Sequence, residues 1–189
     1  MLLFDLSHRC IERHHHLSEP QARIIFKQIM SSISYLHSLG IVHRDIKDEN
    51  ILIDSKMSVK LIDFGSASFF DVPGGKKFDR FMGYALASAD SCRTIQYAAP
   101  EILRGEKYRG PEAEVWALGC CLYIMLTGEV PFTTPQQAIQ EPYTTPAAPL
   151  SNSCRHLLST MLQKSVSGRA TVAEIMAHPW VAAPISVAP

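Results

Sequence analysis

Apolar residues recur at helical spacing in the early part of the chain. The repeating positions are Ala22, Ile25, Phe26, Ile29, Ile33 and Leu36. Ahead of them, Ser18-Glu-Pro-Gln21 has the form of a capping box with proline in the first turn, and Gly40 provides a stop signal. The pattern therefore predicts one amphipathic helix from about residue 19 to residue 39.

Two further apolar segments lie in the second half of the chain. The run Val115–Leu126 is 12 residues long, whereas a bilayer span needs about 20. It therefore predicts a buried helix over Glu112–Thr127. Another core stripe follows, made of Cys154, Leu157, Leu158, Met161 and Leu162. A second capping box, Thr171-Val-Ala-Glu174, comes after it. The fold class indicated is mainly α.

Between the two long helices lie two short β-branched runs. They span Ile41–Asp54 and Val59–Gly65 and are separated by the polar turn Ser55–Ser58. Two such runs around a turn predict a β-hairpin. This is the only β structure that the hydrophobic pattern predicts.

The predicted hairpin brings chemically useful side chains around one small space. These are the carboxylates Asp45 and Asp63, the carboxamide Asn50 and the ammonium group of Lys47. Two carboxylates with an amide suit Mg²⁺, which prefers oxygen ligands, and a nearby ammonium suits phosphate. The group has the chemistry of a phosphoryl-transfer site.

Composition narrows the function classes. The chain has 189 residues, 18 Lys+Arg against 18 Asp+Glu, and 47% hydrophobic residues. This describes one globular domain and gives no electrostatic reason to expect nucleic acid or a membrane as a partner. The five cysteines form no C-x-x-C pair and are odd in number. We therefore expect a reducing compartment, the cytoplasm or the nucleus.

Three motifs occur in the order found in protein kinases. They are His43-Arg-Asp with Asn50, Asp63-Phe-Gly65 and Ala99-Pro-Glu101. Lys47, two places after Asp45, resembles the serine/threonine kinases. The longer strings His-Arg-Asp-Ile-Lys-Asp-Glu-Asn and Tyr108-Arg-Gly-Pro-Glu are similar to the PAS-domain-containing serine/threonine kinases of the calmodulin-dependent-like group.

The resemblance implies a protein-kinase-like C-terminal lobe, helical with a small β-hairpin at the catalytic loop. The lobe would cover residues 11–182, with a poorly matched segment at 1–10 and a loose tail at 183–189. The activation segment would run over residues 63–101. The implied activity is transfer of the ATP γ-phosphate to Ser/Thr hydroxyls of a protein substrate.

The resemblance also implies roles for individual residues. Asp45 would accept the substrate proton, and Lys47 would lie against the transferring phosphate. Asn50 and Asp63 would hold Mg²⁺. Further contacts to ATP would come from Lys47, Glu49, Asn50, Leu52 and Asp63, with Leu52 as the apolar floor beneath the adenine.

Four supporting roles come with the same resemblance. His43 and Phe64 would pack around the Asp63 turn, and Arg44 would pair with a phosphorylated residue. Glu114 stands where most kinases carry an aspartate, and it would bond the catalytic-loop backbone. Glu101 and Arg169 would form a buried ion pair.

The sequence departs from a complete kinase before His43. No glycine-rich loop occurs there, and Lys27, on the predicted helix, is the only lysine. The resemblance thus implies a large lobe whose small (N-terminal) lobe is absent from this chain. We expect the 189 residues alone to bind ATP weakly and to transfer phosphate very slowly.

The activation segment departs as well. Removing the ten residues 84–93 restores Phe-Met-Gly-Thr-Ile-Gln-Tyr, which indicates an insertion; a rival alignment equates Cys92-Arg-Thr94 with the usual Cys-Gly-Thr. No serine or threonine occurs between Ser68 and Ser88. A hypothesis is that Asp79 serves as a permanent partner of Arg44.

Three interpretations of the function remain open at this point. The first is a serine/threonine kinase, whose small lobe would be encoded upstream or supplied in trans. The second is a catalytically incompetent lobe that acts as a protein-binding module. The third, weaker interpretation is a non-functional gene fragment.

Overall fold

The structure is a computed structural model, and it describes residues 4–6, 16–70, 77–78, 96–147 and 149–184. The predicted insertion at 84–93 and Asp79 lie outside these residues. So do most of the segment 1–10 and the tail from residue 185 onward.

Helices are the main secondary structure of the described residues. They are α1 (Glu19–Ser38), α2 (Pro100–Leu103), α3 (Gly110–Thr127), α4 (Pro135–Gln140), α5 (Asn152–Met161), α6 (Val172–Ala177) and α7 (Pro179–Ala182). The strands are β1 (Phe4–Asp5), β2 (Ile41–Val42), β3 (Ile51–Ile53), β4 (Val59–Leu61) and β5 (Ser68–Phe69). Three 3₁₀ turns complete the set, at Asp48–Asn50, Phe64–Ser66 and Val166–Gly168.

Helix α1 confirms the predicted amphipathic helix. The capping box between Ser18 and Gln21 is formed, and Pro20 lies in the first turn. The helix ends before Gly40, whose φ of 70° is a left-handed conformation that glycine adopts without strain. The buried face consists of Ala22, Ile25, Phe26, Ile29, Met30 and Ile33.

Helix α3 is the centre of the core. It is apolar on every side and nearly all of it is buried, as predicted from its composition. Helix α5 packs beside it through Cys154, Leu157, Leu158 and Met161, which confirms the predicted stripe. The close approach requires Gly119, because a Cβ there would lie 2.9 Å from the side chain of Leu162.

The predicted hairpin is present, although its first run is not one strand. Strands β3 and β4 pair antiparallel, and β1 adds to the other edge of β3. In contrast, β2 pairs antiparallel with β5 in a separate two-stranded sheet. The run 41–54 divides because Arg44 takes a left-handed φ of 68° and residues 48–50 form a 3₁₀ turn. This break places the loop of residues 43–50 between the two sheets.

Side chains cap the C-terminal helices. The predicted capping box between Thr171 and Glu174 is formed at the start of α6. At the start of α7, His178 Nδ1 accepts the backbone N–H of Trp180 at 3.2 Å, while the Trp180 ring is buried.

None of the helices described in the structure is both long and apolar enough to cross a membrane.

Glu19 joins α1 to α5 and α7. Its Oε1 accepts the backbone N–H of Ser151 at 2.5 Å, and its Oε2 accepts the Ser151 hydroxyl and the Trp180 indole N–H, both at 2.8 Å. Partial burial acts to raise the pKa of Glu19, but the hydrogen bonds from Ser151 and Trp180 outweigh it and lower the pKa below 4.5. The folded state therefore favours the ionised carboxylate.

Glu101 and Arg169 form the ion pair that the resemblance implied. Two parallel hydrogen bonds of 2.8 Å join the guanidinium to the carboxylate, and both residues are buried. Arg169 also donates to the backbone oxygens of Glu112 and Gln163. One side chain thereby ties α2, α3 and the segment before α6 together.

Replacing Glu19 should change how stability depends on pH. Because the folded-state pKa is lowered, the contribution of Glu19 is complete above 4.5 and is lost as the pH falls through the folded-state value. We expect Glu19→Gln to show a smaller fall in unfolding free energy between about pH 7 and about pH 3.5 than the wild type, measured by urea denaturation. Glu106→Gln, at an exposed site, is the control. An undiminished fall in Glu19→Gln would contradict this prediction.

Removing Arg169 should be costly. Arg169→Ala leaves Glu101 buried and without its cation, and we expect the unfolding free energy to fall by about 3–5 kcal/mol. The matched control is Arg104→Ala, since Arg104 forms a looser pair with Glu106 at 3.8 Å with both side chains exposed. That control should cost less than about 1 kcal/mol. Both unfolding free energies are measured by denaturant titration. Equal losses in the two variants would contradict the prediction that a buried ion pair contributes more to stability than an exposed one.

Candidate functional site

Asp45 lies at the centre of the candidate site, in the loop between β2 and β3. Its Oδ2 is 3.2 Å from Lys47 Nζ and accepts a hydrogen bond of 2.9 Å from Asn50 Nδ2. The same amide nitrogen donates to the Asp45 backbone oxygen at 2.8 Å. Asp45 Oδ1 is buried and has no hydrogen-bond partner among the described residues. One oxygen is thus held in place, while the other lacks a hydrogen-bond partner among the described residues.

Lys47 and Asn50 are directed to Asp45 by one tight turn. The backbone N–H of Asn50 donates to the Lys47 oxygen at 3.1 Å, which closes the 3₁₀ turn. Lys47 Nζ also lies 3.6 Å from Glu49 Oε2, so the ammonium is shared by two carboxylates. Because Asn50 uses its amide nitrogen on Asp45, its side-chain oxygen is the atom left to act as a ligand.

Asp63 reaches the site through the backbone of its neighbour. The N–H of Ile62 donates to the Asn50 backbone oxygen at 3.0 Å, which places the Asp63 turn beside the loop that carries Asp45. Asp63 has a left-handed φ of 61°, and its exposed carboxylate accepts the N–H of Gly65 at 3.3 Å. Among residues 16–70, direct side-chain contacts thus join Asp45, Lys47 and Asn50. Asp63 is linked to them only by the backbone hydrogen bond between Ile62 and Asn50.

Two other predicted nucleotide contacts lie on β3 and in the turn just before it. Leu52 is half-buried on β3, where it is paired with Asp5 on one side and Lys60 on the other. Glu49 lies in the 3₁₀ turn, and its side chain is about one-third exposed beside Lys47. Both residues keep part of their side-chain surface accessible.

The loop backbone is held from below by Glu114 on α3. Its Oε1 accepts the N–H of His43 and, at 2.8 Å, the N–H of Arg44. The backbone bond predicted for this carboxylate is therefore confirmed. Its Oε2 lies 2.6 Å from His37 Nε2, a contact with the end of α1 that the sequence did not indicate.

His43 and Phe64 pack together as the resemblance implied. Their ring centroids are 4.7 Å apart, and His43 Nε2 is 3.0 Å from the Ile62 backbone oxygen. His43 is fully buried, whereas Phe64 is 48% exposed. This contact fixes the turn that carries Asp63.

Arg44 makes contacts that sequence reasoning missed. Its guanidinium carbon lies 4.3 Å from the centre of the Phe78 ring, and its Nη2 is 3.4 Å from the Tyr108 hydroxyl. Phe78 and Tyr108 are themselves joined by a β-bridge. The proposed partner Asp79 follows Phe78 but lies outside the described residues. No local sequence signal links Arg44 with Tyr108.

The donor set suits a hard cation better than a transition metal. No group of three or more His, Cys, Asp or Glu side chains in the described ranges is arranged to hold a metal. The amide oxygen of Asn50 and the carboxylate of Asp63 are oxygen donors, the type of ligand that Mg²⁺ prefers.

Comparisons with known proteins identify the family of the chain. Residues 3–181 match the protein kinase domain model. The chain is 43% identical over 178 residues to the PAS domain-containing serine/threonine-protein kinase of Mus musculus, covering 94% of this chain and 12% of that protein. It is 40% identical over 180 residues to serine/threonine-protein kinase PSK1 of Saccharomyces cerevisiae, covering 95% and 12%.

A third relative is sperm motility kinase 2B of Mus musculus, 40% identical over 172 residues that cover 88% of this chain and 33% of that protein. The chain thus spans between about an eighth and a third of the length of these relatives. The kinase-domain match, however, covers nearly all of the chain. On this evidence the chain belongs to the protein kinase family, among the serine/threonine kinases.

Proposed function

We propose that this chain forms the catalytic lobe of a serine/threonine kinase, which transfers the ATP γ-phosphate to a serine or threonine hydroxyl of a protein. The observation that carries the proposal is the asymmetry of Asp45. Its Oδ2 is occupied by Lys47 and Asn50, while the buried Oδ1 has no partner among the described residues. A carboxylate oxygen that is oriented and lacks a hydrogen-bond partner suits a group that accepts the proton of a substrate hydroxyl.

The neighbouring residues complete this chemistry. Lys47 supplies a positive charge next to Asp45, where charge develops on the transferring phosphoryl group. Asn50 and Asp63 offer oxygens that would hold Mg²⁺, and the bound ion would supply positive charge to neutralise the phosphates. Leu52 gives the adenine an apolar surface, and Glu49 keeps the Lys47 ammonium within reach of the nucleotide.

An apolar surface beside the site favours a protein partner. Phe64 is 48% exposed and Ile62 is 36% exposed, and both flank Asp63. Side chains of this size are favourably covered by another protein surface. A kinase small lobe, in the same polypeptide or in trans, fits this position and would place ATP between the lobes. The same surface supports the second candidate, a lobe that binds partner proteins without catalysis.

The cysteines favour a reducing compartment. Cys120, Cys121 and Cys154 are buried free thiols, and burial raises the pKa of Cys120 and Cys154 to about 12. Thiols held protonated in a core have a packing role and low reactivity. We therefore propose the cytoplasm or the nucleus as the place of action.

Phosphotransfer should depend on Asp45. The assay joins the chain to a kinase small lobe and supplies Mg²⁺, labelled ATP and peptides that contain serine, threonine or tyrosine. We expect label on serine or threonine and a fall of about 10²–10⁴-fold in rate for Asp45→Asn, because the amide cannot accept the proton. The control is Glu106→Gln, which also converts a carboxylate to an amide, at an exposed site.

The outcomes separate the two candidate functions. A full rate in Asp45→Asn would reject the role of Asp45, and label on tyrosine alone would reject the substrate class. A wild-type protein that binds the small lobe, folds normally and transfers no phosphate would favour the binding module. Circular dichroism of each variant shows whether a lost rate comes from unfolding.

A further inference from the structure

Asp48 is a buried carboxylate for which the proposed chemistry provides no role. It begins the 3₁₀ turn that lies between Lys47 and Asn50, and it is 3% exposed. The kinase catalytic-loop motif leaves this position unspecified. Asp48 Oδ1 accepts the N–H of Glu49 at 3.0 Å and the hydroxyl of Tyr97 at 2.7 Å. The second bond connects the catalytic loop to a distant part of the chain.

Tyr97 is the other half of this contact. It is 5% exposed and lies just before Pro100, where α2 begins, so it belongs to the last part of the activation segment. Burial raises the pKa of Tyr97 well above 10, and the charge of Asp48 raises it further. The phenol therefore stays protonated and donates to a charged acceptor, which is the stronger type of hydrogen bond.

The turn transmits the position of Asp48 to the catalytic group. The Asn50 N–H closes the turn on the Lys47 oxygen, on either side of Asp48. The Lys47 ammonium and the Asn50 amide both approach the same Asp45 oxygen. A shift of Asp48 would therefore displace both groups that hold Asp45.

We propose that Asp48 and Tyr97 are a pair of positioning residues. Their hydrogen bond holds the turn Asp48–Asn50 against residues 97–101, so that Lys47 and Asn50 meet at Asp45 in one geometry. The bond also couples the phosphate side of the site to the segment that leads into α2. This inference rests on the proposed kinase function, because it concerns the alignment of that same site.

The first test measures the turn itself in the 189-residue chain and needs no activity. Amide hydrogen exchange is followed by NMR at Asn50 and Ile51 in Asp48→Asn, Tyr97→Phe and the double variant. We expect each single variant to speed exchange about tenfold, since a hydrogen bond to a charged group is lost. The double variant should be no faster than the faster single variant, because both substitutions remove one bond.

The control is Tyr35→Phe, which removes a hydroxyl from a side chain that is 65% exposed. It should leave exchange in the turn unchanged. Unchanged exchange in Tyr97→Phe, or effects that multiply in the double variant, would overturn the pair. Tyr97→Phe keeps the charge of Asp48 and nearly the full side-chain volume, so it decides the question even where Asp48→Asn folds poorly.

The second test separates positioning from simple stability. With the small lobe joined, each single variant should lower kcat about tenfold per folded molecule, with the KM for ATP little changed, and the double variant should fall no further. A purely structural role would reduce the folded fraction and leave kcat per folded molecule unchanged, which would overturn the inference. A wild-type protein without phosphotransfer would reject the proposed function instead, and hydrogen exchange would still decide whether the pair holds the turn.

Discussion

The loop that carries Asp45 depends on hydrogen bonds to the carboxylate of Glu114. This carboxylate projects from the buried helix α3 and accepts the backbone N–H groups of His43 and Arg44. Arg44 needs this support, because its left-handed φ of 68° costs a non-glycine residue about 1–3 kcal/mol. Asp45 follows directly, so its backbone takes its position from a helix that is buried in the core. Glu114 makes these backbone bonds with Oε1 and also reaches His37 with Oε2.

Elements with a local signal were predictable from the sequence. The 3.6-residue period and the capping box defined α1, and the continuous apolar run defined α3. Helix α3 begins at Gly110, slightly before the predicted Glu112, because Pro111 is well suited to the first turn. The pairing of β2 with β5 was not predictable. Each strand has two residues, too few for a period, and their pairing depends on where the chain returns after the Asp63 turn.

The contacts of the site likewise divide into those that a local sequence pattern predicts and those that it does not. Asp45, Lys47 and Asn50 lie within six consecutive residues, so one tight turn is enough to join them. The ion pair of Glu101 with Arg169 was predictable only from the family resemblance, since no local pattern relates the two positions. The bond between Asp48 and Tyr97 had no signal of either kind. Asp48 occupies a position that the motif leaves open, and its partner is brought close by tertiary packing alone.

The contacts around the loop matter because Asp45 Oδ1 lacks a hydrogen-bond partner among the described residues. Leaving a buried acceptor without a partner costs about 1–3 kcal/mol, which a fold selected for stability alone would avoid. Here Glu114 holds the backbone before Asp45, and the turn that contains Asp48 holds the residues after it. Rotation of the Asp45 side chain towards another donor is opposed by the contacts of its Oδ2 with Lys47 and Asn50. A substrate hydroxyl that donates to Oδ1 would supply the missing hydrogen bond. That bond, which does not stabilise the fold, would then stabilise binding in the orientation that proton transfer requires.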